Sequence, residues 1–244
     1  MCGRFALTLP ADAVAHLFDA SIPEGVEMRV APRWNICPTT AVEVVRSGPE
    51  GRTLAPIRWG FIPRWYKSPE DGPLLINARS ETIAEKPAFR EACRARRCLV
   101  PASGFYEWQP PKLSGGRGKV PYWIHPAGAD APFALAAVWE TWRAPDGREI
   151  DACALVTAEA GPQMAALHHR EPVRVAPEHW GLWLGEEGRG AATLMHAAAD
   201  GFWDAHPVSP RINGTGADDE MLTWEWRPED GPPPAPEGAQ RSLL

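Results

Sequence analysis

The stretch RCLVPASGFYEW at positions 97–108 decides the fold. Two short apolar runs rich in β-favouring residues flank a Ser103-Gly104 turn, which reads as two consecutive short strands. Outward from it, AVEVVRS (41–47) is β-branched, and PYWIH, PFALAAVWE and ACALVTAEA are three more strand candidates before residue 160. RTLAPIRWGFIPRW (52–65) holds strand-like pieces broken by Pro56 and Pro63, and LLINARSET (74–82) is an apolar strand entering a polar turn. Helices are expected over 10–19, over the basic segment opened by Pro87 (87–97), and around 162–168, 177–184 and 189–199. KLSGGRGK (112–119) reads as a basic hairpin or loop. Many short strands with interspersed helices predict a mixed α+β fold. We expect a single domain with a strongly bent antiparallel sheet, a barrel-like core and peripheral short helices.

The chain has 244 residues, 44% hydrophobic and 23% charged, enough for one substantial core. Its 22 glycines and 27 prolines stay below the level of a low-complexity chain. The expected organisation is one domain over 1–227 and a Pro-rich, disordered tail over 228–244. The net charge of −6 argues against nucleic acid as a partner. It is unevenly spread, however: residues 1–124 carry 17 Lys/Arg and 12 Asp/Glu, the remainder 8 and 19. The five cysteines are an odd number without metal-site spacing, so neither a disulfide scaffold nor a metal is expected. With no signal peptide and no membrane-length apolar run, the expectation is a cytoplasmic monomer.

The chemistry begins at Met1-Cys2-Gly3-Arg4. Removal of Met1 would leave Cys2 with an amine and a thiol on adjacent carbons. Their ordinary pKa values, about 8 and about 8.5, put both near their reactive forms at neutral pH. An aldehyde would form an imine with the amine, and the thiol would close a five-membered thiazolidine. Alternatively, Cys2 is simply a small residue that permits methionine removal. Glutamine amidotransferases of the N-terminal-nucleophile class also begin Met-Cys-Gly, using the thiol against an amide, typically with an Asn-Gly pair at the oxyanion site. The one Asn-Gly here, Asn213-Gly214, reads more simply as a turn.

Behind the MCGRF start come WNICPTT (34–40), WGFIPRW (59–65), INARSET (76–82), RCLVPASGFYEW (97–108), LHHREPV (167–173) and HPVSPRIN (206–213). This ordered set resembles the SOS-response-associated peptidase (SRAP) family, whose members sense abasic sites and cross-link covalently to DNA. The resemblance covers about residues 2–225. It implies Cys2, Asn77, Glu107 and His168 as catalytic residues. Histidine suits the proton transfer that opens an abasic sugar. Glu107, shielded by Phe105, Tyr106 and Trp108, would shuttle protons at the Cys2 amine. Asn77, which can donate and accept, would hold the amine and the adduct.

The resemblance further implies an abasic site in single-stranded DNA as partner, replication-fork junctions as a related setting, and no cofactor. DNA contacts would come from Arg4, Trp65, Arg79, Ser80, Thr82, Trp108, Thr157 and Arg170. Reversal or lyase chemistry would reuse the same proton transfers, and the peptidase label would refer to loss of Met1 or a related activity. Arg90, Arg94, Arg96 and Arg97 form either a further basic surface or an ordinary solvated face. Two departures stand out. Glu171 replaces a common methionine, where a carboxylate would repel a nearby phosphate, and His169 replaces a frequent aspartate. A glutamine-hydrolysing enzyme and a non-covalent single-strand binder are the alternatives.

Overall fold

A computed structural model describes residues 2–114, 118–128 and 132–227. The tail 228–244 and part of the 112–119 loop lie outside the described residues. In chain order the elements are β1 (Phe5–Leu7), α1 (Ala11–Leu17), β2 (Ala20–Ser21), β3 (Arg33–Ile36), β4 (Ala41–Gly48), β5 (Gly51–Trp59), β6 (Asn77–Arg79), α2 (Arg90–Ala95), β7 (Arg97–Ala102), β8 (Gly104–Gln109), β9 (Val120–Pro126), β10 (Phe133–Arg143), β11 (Glu149–Glu159), α3 (Pro162–Ala165), β12 (Arg170–Pro172), β13 (Arg174–Val175), α4 (Trp180–Leu184) and β14 (Trp203–Pro207).

Strands β5, β4, β7, β10 and β11 pair in that order, and β11 returns to β5 through Ala152↔Arg58 and Cys153↔Trp59. The result is a closed five-stranded barrel. Its ladders are antiparallel except for this parallel seam, and β2 and β6 attach at its margins in parallel. Closure removes the edges that a bent sheet would otherwise expose. A second sheet, ordered β14-β9-β8-β1-β3, is wholly antiparallel. The α+β expectation of a bent antiparallel core with short peripheral helices is borne out.

The chain passes from the barrel to the second sheet at Ser103, between β7 and β8. Ser103 Oγ accepts from the Thr8 N–H at 3.0 Å, and the Ser103 N–H donates to the Ala6 carbonyl at 2.7 Å. Gly104 has no space for a side chain: a Cβ there would meet the Trp123 ring at 2.3 Å and the Ile124 carbonyl at 2.8 Å. Beyond this turn, β8 alternates its faces. Phe105 joins the main core, which contains Phe5, Trp59 and Trp203, while Tyr106 joins a smaller cluster with Trp123, Val208, Ile212 and Leu222. Trp59, Trp142 and Trp183 are fully buried, each donating its indole N–H to a backbone carbonyl, the arrangement that makes full burial of this side chain tolerable.

Several elements differ from their sequence-based expectations. Pro56 does not break β5. It lies between the stretch of β5 paired with β2 and the stretch paired with β11, where one side of the strand has no neighbour to miss an N–H. The expected strand over 74–82 contracts to β6 plus an isolated bridge between Phe61 and Leu75. The helix expected over 87–97 contracts to the six residues of α2, and that over 162–168 to the four of α3. The helix expected over 189–199 is a single 3-10 turn, Ala191–Leu194, because Gly190 enters it at φ 131° and the Ala198 N–H is held by Glu171. Among the described residues no helix is long and apolar enough to cross a membrane.

Candidate active site

Four strands from distant parts of the chain bring the candidate catalytic groups together. The β1–β8 register pairs Phe5 with Phe105 and Ala6 with Gly104, so its continuation puts Glu107 opposite Gly3, one residue from Cys2. Parallel pairing of β6 with β11 sets Asn77 beside Leu155 and Arg79 beside Thr157, and β12 pairs with the same end of β11. In β6, Ala78 turns into the core, leaving Asn77 and Arg79 on the opposite face.

Cys2 is fully buried, and the Asn77 side-chain N–H donates to its carbonyl at 2.8 Å. Asn77 Oδ1 is buried with no hydrogen-bond partner among the described residues. Burial pushes the Cys2 thiol up, and the neighbouring Glu107 carboxylate pushes it further. A thiol near its reactive form at neutral pH was the expectation from its ordinary value; inside the core it is held protonated. Glu107 is 2% exposed, and its Oε1 lies 3.9 Å from His168 Nδ1. That Nδ1 also lies 3.0 Å from the Arg170 N–H and 3.1 Å from the Arg170 carbonyl, so the Arg170 backbone fixes the position of the ring. His169 stacks obliquely on His168 at 4.3 Å and faces solvent; desolvation, together with the charges of His168, Arg170 and Arg79, lowers its pKa.

The expected DNA-contact residues divide by how much of each side chain is free. Arg79 is exposed and makes no side-chain hydrogen bond or ion pair among the described residues. Trp65 is 59% exposed, and Ser80 and Thr82 lie half-buried beside Arg79. Arg4 is engaged within the protein, donating to Asn35 Oδ1 at 2.7 Å and to the Ile212 and Gly214 carbonyls. Trp108 donates to Asn213 Oδ1 at 2.7 Å. The Asn213-Gly214 pair thus closes this edge of the site, a larger part than the simple turn read from sequence. Arg170 is buried, forking onto Glu81 at 2.7 and 2.9 Å and onto the Thr157 carbonyl, with Thr157 itself fully buried.

Three residues of the neighbourhood were missed by sequence reasoning. Glu81 anchors Arg170, Asn35 anchors Arg4, and Gln109 reaches from β8 to the Ala166 carbonyl just before His168. Their only sequence signal was membership of the quoted motifs, or position next to one. Glu171 is the clearest reversal. Its carboxylate turns inward and accepts from the N–H groups of Gly161 (3.0 Å) and Ala198 (2.7 Å) and from the Trp203 indole (3.4 Å), so it presents no charge to a phosphate. The basic residues 90–97 do not form one face either. Arg94 pairs with Glu91, Arg96 with Glu140, and Arg97 caps carbonyls of Trp183, Cys93 and Arg94.

The chain is 34% identical over 219 residues to the abasic site processing protein YoaM of Bacillus subtilis, covering 87% of this chain and 93% of that one. It is 32% identical over 221 residues to the abasic site processing protein YedK of Escherichia coli, with 87% and 94% covered. The rat abasic site processing protein HMCES is 28% identical, with 88% and 73% covered. A crystal structure of a protein from Bacteroides thetaiotaomicron superposes with a TM-score of 0.80 at 21% identity, over 93% of this chain and all of that one, which shows a shared fold. The model of the family described as SOS response associated peptidase (SRAP) matches residues 1–215, and the chain belongs to that family.

Proposed function

We propose that the protein processes abasic sites, forming a thiazolidine between Cys2 and the ring-opened deoxyribose of single-stranded DNA. The observation that carries this reading is the meeting of four chemically distinct groups: the cysteine that follows Met1, the Asn77 amide bound to its carbonyl, and the Glu107–His168 pair. Abasic site processing also stands in the names of the relatives.

With Met1 removed, the sequence of steps follows from proton balance. His168 moves the hydroxyl proton that opens the hemiacetal to the C1′ aldehyde. The Cys2 amine, deprotonated by Glu107, attacks C1′, and the resulting carbinolamine loses one water to give the imine. Sγ then bonds to C1′ as the thiol proton passes to nitrogen, so the net change is one C–N and one C–S bond formed and one water released. A buried, protonated thiol fits this order, because the amine acts first and the thiol is called on only when an electrophilic imine lies beside it. It fits a glutamine hydrolase less well, since there the thiolate must open the reaction. Asn77 Oδ1 is available to accept an N–H of the amine or of the finished ring. Run backwards, the same transfers release intact protein.

Arg79 would bind a phosphate next to the lesion, and Trp65 would stack on a neighbouring base. The test is a denaturing gel of the protein with a single strand bearing one abasic site. A slow-migrating adduct is the expected result. Glutamine turnover without an adduct would support the hydrolase, and salt-sensitive binding without an adduct would support a non-covalent binder.

A further inference from the structure

A positively charged pocket lies outside the site just described, at the opposite end of the sheet that carries Asn77. It has a volume of about 300 Å³ and is lined by Arg64, Arg96, Glu140, Thr141 and Arg143. Glu140, 4% exposed, is its floor: one carboxylate oxygen takes both Arg64 Nε at 2.8 Å and Arg96 Nη2 at 2.7 Å. Two guanidinium groups on one carboxylate leave a net positive charge. The third, Arg143, is balanced by Glu149 at the surface, but its side chain is 74% exposed. Arg64 is 61% exposed, so half of the pair on Glu140 faces solvent. Arg96 Nε is buried with no hydrogen-bond partner among the described residues.

We infer that this pocket holds a backbone phosphate of the same DNA strand, several nucleotides from the lesion. The inference rests on the reading of the protein as a single-strand DNA processor, and deepens it by fixing where the strand runs. Arg64 directly precedes the exposed Trp65, so a base stacked on that indole brings its strand towards the pocket. Along β11, Asn77 lies level with Leu155 and Thr141 level with Asp151, a separation of four residues. At ~3.4 Å per residue this is about 14 Å in the strand direction, or roughly four nucleotides of stacked strand at ~3.4 Å each. Planar guanidinium groups with free N–H donors match phosphate oxygens in geometry as well as charge.

The experiment compares wild type with an Arg64→Gln/Arg143→Gln variant, both exposed positions, by anisotropy of unmodified single strands over a salt series. On a long strand the variant should lose about 0.7 from the slope of log affinity against log salt, the loss of one single-strand phosphate contact. On a strand trimmed to the nucleotides adjoining the lesion position, wild type and variant should coincide. Arg64→Lys combined with Arg143→Lys should restore most of the slope. An unchanged slope on the long strand, or an equal loss on the trimmed one, would overturn the inference. Cross-linking of an abasic trimmed strand on a denaturing gel is read separately: its absence in wild type would refute the covalent reading, while the salt slopes would still judge the pocket.

Discussion

Glu171 offers a quantitative test of how β12 is tied to the segments around Gly161 and Ala198. The carboxylate is 1% exposed and accepts from two backbone N–H groups, at 3.0 Å from Gly161 and 2.7 Å from Ala198, with the Trp203 indole as a longer third donor. Two opposing quantities decide the effect of replacing it. Removing a buried charge relieves a desolvation cost of several kcal/mol, whereas each buried N–H left unsatisfied costs about 1–3 kcal/mol. Glu171→Gln keeps one acceptor and sets an NH2 against the other N–H, so a loss of about 2 kcal/mol is expected. Glu171→Met abandons both N–H groups and should cost about 3–4 kcal/mol, because the three donors have already compensated the charge. For a domain of this size each kcal/mol moves Tm by about 2–4 °C. The expected drops are therefore about 4–8 °C for Gln and about 6–16 °C for Met, read by calorimetry. A methionine variant as stable as wild type, or more stable, would mean that desolvation of the carboxylate outweighs its hydrogen bonds.

Three further outcomes follow from the same geometry. Arg170 holds the Glu81 carboxyl down to about 2. A depressed carboxyl contributes stability above its ordinary value of 4.5 and loses it as pH falls towards about 2, so the change in urea midpoint between pH 5 and pH 3 should be smaller in Glu81→Gln than in wild type. Cys2, Cys98 and Cys153 are all held above the ordinary thiol value by burial. The folded chain then keeps protons that the unfolded chain releases, and stability should fall as pH rises beyond about 9, with a shallower fall in Cys153→Ala measured by urea titration at pH 8 and pH 10. Asn77→Ala removes the bond to the Cys2 carbonyl, and a loss of about 1.4 kcal/mol in positioning should slow cross-linking about tenfold on a denaturing gel.

The long, internally consistent strands were legible in the sequence because their pattern is local. β4, β7, β8, β10 and β11 all fall on segments whose apolar runs and turn residues announce them. β1, β3 and β14 were not legible: each has at most five residues, and each exists because a partner distant in sequence completes its ladder, as Tyr122 does opposite Pro207. The alanine-rich segment 189–199 shows a local preference overruled, since Glu171 takes the Ala198 N–H that a helix would have used internally. In the site, the four motif residues were visible as chemistry at fixed positions. What could not be seen was which arginines are bonded within the protein. Arg4 and Arg170, both expected as phosphate ligands, are bonded to Asn35 and Glu81, and those pairings span 31 and 89 residues.

In the proposed function Cys2, with Met1 removed, bonds to the abasic sugar through both its amine and its thiol. Intact mass spectrometry of the heat-denatured product, formed without any reductant, tests it most directly. Wild type should give the mass of the protein lacking Met1 plus that of the abasic strand, less one water. Cys2→Ala retains an amine but has no thiol to close the ring, so its imine should hydrolyse and no adduct should survive. A stable adduct of full yield from Cys2→Ala, or Met1 still present in the wild-type adduct, would rule out the thiazolidine.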